Sequence, residues 1–303
     1  IRCLKKQLKD VELHYLTREA YQSILEPNPY IDKLYTIRDR ISEVVPALST
    51  ENYDRLIDLH KNFRLKGIIL NLKKPATGFD KVNIQKWLMV RFKINRLPDI
   101  HLVDRYFGAV ETLGVKNDHE GLDYFIPERQ QVDPASLPDQ HQQGYIAWAI
   151  GGKHNTKMYP EDLIVHACKQ IDKPIILLGG PEDKTTGERI HQLVGDKIYN
   201  ACGRYTINQS ASLVSRANKV ITNDTGLMHI AAAFKKEIIS LWGNTIPEFG
   251  MYPYMPGQGE KSTLLEVTGL SCRPCSKLGF KKCPKGHFKC MREINPEKIA
   301  ENI

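Results

Sequence analysis

The sequence has no long apolar run. Its longest stretches, residues 145–150 and 174–178, fall far below the ~20 residues a membrane span needs. No secretory leader pattern precedes the first strand-like segment, and the first residue is Ile1, so the natural chain is expected to begin further upstream. No 20–50-residue repeat and no low-complexity tract occur, which excludes solenoids and linker-like proteins. No G-x-G-x-x-G follows a strand, which argues against a dinucleotide oxidoreductase. No Asp-x-Asp occurs, so the acidic pair that commonly holds a divalent ion on a nucleotide-sugar is missing. The seven cysteines are odd in number, and four of them crowd into residues 272–290. With no export signal, that pattern points to a reducing compartment rather than a disulfide framework.

What remains is a globular composition: 303 residues, 41% hydrophobic and 26% charged, enough for about two domains. The net charge of +8 is local. Residues 60–98 hold ten Lys/Arg against one acid, Asp80, and residues 273–292 hold seven Lys/Arg and no acid. These two patches exceed the net charge of the chain, so the remainder is acidic. Basic patches suit phosphates, acidic lipids or nucleic acid, although solvated lysines on helix faces give the same pattern.

Short apolar runs alternate with amphipathic stretches. Strands are expected at 11–16, 33–37, 55–59, 145–150, 174–178, 197–200, 219–222 and 237–242, and helices at 18–26, 38–48, 82–90, 101–114, 160–170, 182–194, 208–216 and 226–234. Residues 1–9 read as the end of a helix. Residues 127–143, with three prolines and a Gln-His-Gln-Gln run, read as a linker. The alternation predicts parallel sheets covered on both faces, with ligands outside the carboxyl ends of the strands.

The most informative segment is 219–242, KVITNDTGLMHIAAAFKKEIISLW. A buried strand ends in Asn223-Asp224, and Thr225-Gly226 turns directly into a small-residue helix. Asp224 or Thr225 can cap that helix, Gly226 leaves its first turn bare, and the helix N-terminus can receive an anion. His229 falls one turn in. An ordinary capped turn would share some of these features, but Asp-Thr-Gly-x-x-His after a buried strand is far more specific.

This segment resembles the signature of the glycosyltransferase family 9 heptosyltransferases, which build the lipopolysaccharide inner core. Lys157-Met-Tyr-Pro160 after strand 145–150, Gly179-Gly180-Pro181-Glu182 after strand 174–178, and Gly203-Arg204-Tyr205-Thr206 before the next helix agree with it in kind and order. The cysteine segment is similar to one in the heptosyltransferase II branch.

The resemblance implies a GT-B architecture, two Rossmann-like parallel-sheet domains facing across a cleft. Residues 1–143 would bind the acceptor and 144–303 the nucleotide-sugar. The donor would be ADP-L-glycero-D-manno-heptose, the acceptor the lipid A-Kdo inner core, and the reaction inverting. It would run without a catalytic metal at the cytoplasmic face of the inner membrane, peripheral to an anionic surface. It further implies that Lys157, His229 and the Asp224–Thr225–Gly226–Leu227 turn hold the diphosphate, that Glu182 meets the ribose and that Tyr205 lies beside the adenine. The family's general base, an aspartate after the first strand, would lie before Ile1.

His60, Lys61 and Arg64 follow strand 55–59 and are the acceptor-binding candidates, since lysine charges and arginine forks suit carboxylates and phosphates. The same patch, with Trp87, Met89 and Phe92 interleaved, could instead rest on an anionic membrane. Cys272, Cys275, Cys283 and Cys290 have C-x2-C-x7-C-x6-C spacing, which fits a structural zinc or a loop of reduced thiols, and the surrounding cations are expected to lower their pKa values. Two further readings compete. One is another GT-B nucleotide-sugar enzyme, such as an epimerase. The other is a nucleic-acid finger, disfavoured because only Phe280 and Phe288 could stack there.

Overall fold

The computed structural model describes residues 1–303, except for the side chains of Phe63 and Arg64. It divides into two units, one of Ile1–Val82 with Ile100–His119 and one of Asn83–Asp99 with Glu120–Ile303.

The second unit is built on a parallel sheet of six strands. They are β5 (Ile146–Ala149), β6 (Ile175–Leu178), β7 (Ile198–Asn200), β8 (Lys219–Asn223), β9 (Glu237–Trp242) and β10 (Ser262–Glu266), after β1 to β4 of the first unit. Their order across the sheet is β10-β9-β8-β5-β6-β7, and every pair is parallel. The chain therefore leaves β5 toward one edge and returns at β8 to build toward the other, which is the doubly wound order with its reversal between β5 and β8.

Every residue of β5 and β6 is buried, as is β9 after Glu237, because helices cover both faces. Ile146, Trp148, Ile175 and Leu177 pack on one face with helix Glu161–Gln170, and Ala147, Ile176, Leu178 and Val220 on the other with helices Ile207–Arg216 and Gly226–Ala233. Helix Ile207–Arg216 starts where Thr206 Oγ1 accepts from the Gln209 amide while Gln209 reaches back to the Thr206 amide, a capping box.

The first unit contains two parallel pairs, β1 (His14–Arg18) with β2 (Lys33–Ile37) and β3 (Leu56–Asp58) with β4 (Ala76–Gly78). Their residues are half-buried or exposed rather than sealed, and the apolar clusters around them, centred on Val44, Leu48 and Ile68 and on Cys3, Val110 and Val115, are small.

Three expectations are corrected. Residues 127–143 are not a free linker. Val132 and Leu137 are buried in the second unit's core, the Val132 amide donates to Ser212 Oγ at 2.9 Å, and the fully buried His141 ring meets the carbonyls of Ile175 and Lys197 at 3.2 Å each. Packing overrides the turn-forming composition, and the division falls at residues 119–120. Residues 83–99 also group with the second unit. The expected helix 101–114 is helix Leu102–Phe107 followed by a 3-10 turn, Glu111–Leu113; Gly108 keeps helical dihedrals and the backbone departs from them at Val110, with φ of −119°, while Gly114 does stop the turn, with φ of 72°. Strand β10 and helix Phe63–Leu72 were not anticipated.

Truncating the fully buried Leu177 to alanine should cost about 3 kcal/mol, while Thr206→Ala should cost about 1 kcal/mol. Urea denaturation of the two variants checks that ranking.

Candidate active site

In open α/β sheets ligands bind outside the carboxyl ends of the strands where strand order reverses, here beside the ends of β5 and β8. Lys157 and the Asp224–His229 segment lie there. Asn223, the last residue of β8, is fully buried and ties the two strand ends together. Its Nδ2 donates to the carbonyls of Ala149, Ile150 and Gly151 at 3.3, 3.1 and 3.3 Å, and its Oδ1 accepts from the Tyr159 amide at 3.2 Å. That anchors the 150–159 loop that carries Lys157.

Lys157 Nζ donates to Asp224 Oδ2 at 2.5 Å, with the two side chains 14% and 7% exposed. Thr245, in the loop after β9, donates its hydroxyl to the same oxygen at 2.9 Å. The Asp224 carboxylate is thus occupied by side chains and does not cap the following helix. Thr225 occupies the N-cap position but its side chain makes no capping bond. The first amides of helix Gly226–Ala233 therefore lack a side-chain acceptor, and Gly226 is exposed with nothing within 4 Å of where a Cβ would stand. The Leu227 side chain packs on the core.

His229 is half-buried behind that first turn. Burial holds its pKa below the usual histidine value, the Lys157 charge adds to the effect, and Asp224 opposes it. Its imidazole is accordingly neutral near pH 7.

The other donor-side candidates are placed less closely. Glu182 is exposed and folds back over Gly180. Its neighbour Asp183, which sequence reasoning passed over, is buried. A Cβ at Gly151 would fall 2.0 Å from Asp183 Oδ2, and one at Gly179 would fall 2.7 Å from Asp183 Cβ. Only glycine lets the ends of β5 and β6 close on that carboxyl, whose pKa burial raises, with Glu182 adding and the Gly180 amide opposing. Tyr205 is half-buried, with its hydroxyl 3.1 Å from that of Tyr199, and burial pushes its pKa up to about 12.

In the first unit, His60 and Lys61 form an exposed turn after β3, with both amides donating to Asp58 Oδ1 at 2.8 and 2.7 Å. The Arg64 side chain lies outside the described residues.

All seven cysteines are free thiols. Cys272 Sγ lies 3.8 Å from His287 Nε2. Burial and the neighbouring thiols push Cys275 up, and push Cys290 up to about 11, which reverses the expected lowering: Lys93 and Arg273 act in the lowering direction but burial outweighs them. Among the described residues, the His/Cys/Asp/Glu group whose ligand atoms converge within 4.8 Å is Glu12, His14 and Glu51, not the cysteines. The Glu12–His14–Glu51 group is already compensated by Lys33, 2.8 Å from Glu51 and 3.5 Å from Glu12.

Comparison with known proteins now bears on this geometry. The family model for glycosyltransferase family 9 (heptosyltransferase) matches residues 41–279. The chain belongs to that family. It is 31% identical over 136 residues to lipooligosaccharide heptosyltransferase 2 of Haemophilus influenzae, a stretch that is 43% of this chain and 36% of the relative. Its fold matches a family 9 glycosyltransferase of Veillonella parvula with a TM-score of 0.76, 23% identity and coverage of 99% of this chain and 90% of the other. It also matches the Escherichia coli ADP-heptose lipopolysaccharide heptosyltransferase II with a TM-score of 0.72, 18% identity and coverage of 99% and 91%. The α/β fold with parallel sheets is therefore that of the heptosyltransferases.

Because His229 is held neutral, the unfolded chain binds more protons below about pH 6.5, so its contribution to stability is present above that pH and is lost as pH falls. The loss of unfolding free energy between pH 7.5 and 5.5 should be smaller in His229→Gln than in the parent, measured by denaturant titration at both pH values.

Proposed function

We propose that this protein transfers L-glycero-D-manno-heptose from ADP-heptose to a lipopolysaccharide inner-core acceptor, with inversion and without a catalytic metal. The observation that carries this reading is Lys157, held against Asp224 beside an uncapped helix N-terminus at the point where strand order reverses.

The chemistry requires that charge growing on the departing diphosphate be met. Lysine has three N–H donors; the Asp224 carboxylate takes one at 2.5 Å and the Asp224 carbonyl lies 3.5 Å from the same nitrogen, which leaves at least one for a phosphate oxygen. The open amides of Gly226 and Leu227, with the positive end of their helix, add fixed partial charge. A neutral His229 can donate one ring N–H to a phosphate oxygen. Among the described residues, no cluster of acids and histidines converges at this turn, where Asp224 is already committed to Lys157 and Thr245. Glu182 and Tyr205 are proposed for the ribose and adenine ends. His60, Lys61 and Arg64 are proposed for the acidic acceptor.

Among the described residues, no helix is long and apolar enough to cross a membrane. Residues 83–99 and the cysteine segment, both in the second unit, nevertheless touch. Lys93 Nζ donates to the Pro274 carbonyl at 2.7 Å, which joins helix Asn83–Phe92 to the cysteine segment. That helix buries no residue, and Ile84, Trp87 and Phe92 are 72%, 54% and 54% exposed, with Leu278 of the cysteine segment at 67%. Exposed aromatic and aliphatic side chains among Lys and Arg suit an anionic lipid interface. We place the protein there, at the cytoplasmic face, where a lipid-linked acceptor is presented.

ADP-heptose at a hundredfold excess over its Kd should stabilise the protein by about 2.7 kcal/mol, in EDTA as well as in magnesium, whereas UDP-sugars, NAD and oligonucleotides should not. Lys157→Ala should weaken ADP-heptose binding by about tenfold or more. A thermal shift with another nucleotide-sugar alone would assign a different donor, and a shift seen only with magnesium would reject the metal-free reading.

Co-sedimentation with phosphatidylcholine vesicles containing about a third phosphatidylglycerol should exceed that with phosphatidylcholine alone. It should fall in the Trp87→Ser, Phe92→Ser double variant, and equal sedimentation of parent and variant would remove this surface from the reading.

A further inference from the structure

The cysteine-rich segment has no part in the chemistry above, yet it holds the two loops that set the Lys157–Asp224 pair. At one end, Arg273 is 7% exposed and ion-pairs with Glu266 at 2.6 Å. Its guanidinium donates to the carbonyl of Gly243 at 2.6 Å, of Thr245 at 2.9 Å and of Val267 at 3.1 Å. Two of those acceptors lie in the loop after β9, from which the Thr245 hydroxyl reaches Asp224.

At the other end, the segment lies against the loop after β5 in a short ladder. The Phe280 amide donates to Thr156 Oγ1 at 2.8 Å, and the Thr156 amide donates back to the Phe280 carbonyl at 3.2 Å. Thr156, 2% exposed, immediately precedes Lys157. Beside this ladder, Gly279 has φ of 129°, and a Cβ there would stand 2.6 Å from His154 Cβ. Only glycine lets the two segments approach so closely.

We propose that residues 270–291 are a positioning strap, in which Arg273 and Gly279 act through Thr245 and Thr156 to fix the Lys157 ammonium and the Asp224 carboxylate in register with the helix N-terminus. The strap sets affinity for the diphosphate of the nucleotide rather than for its base. This rests on the reading of the Lys157 turn as the diphosphate seat.

A planar guanidinium that satisfies three carbonyls at once cannot be replaced by one donor, so losing it frees the β9 loop. Arg273→Gln and Gly279→Ala attack the strap at its two ends, away from the proposed ligand contacts. Hydrogen exchange of the ligand-free protein gives the first measurement. Amides of residues 154–158 should exchange faster in Gly279→Ala and those of 243–246 in Arg273→Gln, with those of 175–178 in the sheet unchanged in both. Calorimetric titration gives the second. The Kd for ADP should rise about tenfold, and that for AMP by less than about twofold, because AMP lacks the β-phosphate.

Unchanged exchange at 154–158 in Gly279→Ala, or at 243–246 in Arg273→Gln, would overturn the strap. So would faster exchange throughout the sheet, or equal weakening of ADP and AMP, since either would mean general damage. If the parent protein binds no ADP, the diphosphate reading fails, while the exchange measurement still decides whether the segment holds the Lys157 loop.

Discussion

The second unit is organised around a short ion pair, Lys157 to Asp224, set at the reversal of its sheet. A pair this sheltered needs further hydrogen bonds to offset its lost hydration. Asp224 has Thr245 as well as Lys157, Lys157 Nζ also lies 3.5 Å from the Asp224 carbonyl, and the two loops that supply Lys157 and Thr245 are themselves fixed, one by Asn223 and the other by Arg273. The local hydrogen-bond pattern follows from that need. Asn223 spends its amide on three carbonyls of the β5 end and its oxygen on the Tyr159 amide, so the lysine loop has little freedom at either side of Lys157.

Much of this unit was legible in the sequence. Strands buried on both faces read as continuous apolar runs, and β5, β6, β8 and β9 fall within or next to the expected spans. Asp224 and His229 were legible because a buried strand, a bare turn and a small-residue helix are contiguous in the chain, whereas Lys157 was reached through the resemblance carried by the Lys157–Pro160 run. The edge strand β10, Ser262-Thr-Leu-Leu-Glu266, was not legible. It is only half-buried, with Leu264 39% exposed, so its pattern is that of neither a sealed strand nor a clean alternation. Residues 127–143 misled in the opposite sense, since prolines and glutamines signal turns even where the few apolar residues among them enter a core.

Thr245, Thr156 and Arg273 share a different reason for being missed. Their roles arise through partners far along the chain: Thr245 with Asp224, Thr156 with Phe280, Arg273 with Gly243. Two of those three contacts engage backbone atoms, which carry no sequence signature. Asp183 was missed for a related reason, because its neighbour Glu182 sits in the recognisable motif while Asp183 is the residue enclosed by Gly151 and Gly179. The first unit was least legible of all. Its strand pairs are short and only partly covered, so hydrophobic periodicity is weak there.

The ion pair at the proposed diphosphate seat is neutral overall. A free lysine would attract a diphosphate more strongly, but an ammonium only 14% exposed has lost much of its hydration and needs an anionic partner to offset that cost. Asp224 supplies that partner beside the start of helix Gly226–Ala233, at the expense of some attraction for the proposed ligand. The net field at the turn then comes mostly from oriented dipoles, which cost no reorganisation when charge develops. In the proposed reaction such a seat would hold a ground-state diphosphate moderately and a more negative leaving group more tightly, because the ammonium could shift a remaining donor toward the growing charge while Thr245 continued to satisfy Asp224. On this account the value of Asp224 lies in the difference between the two states rather than in the strength of either.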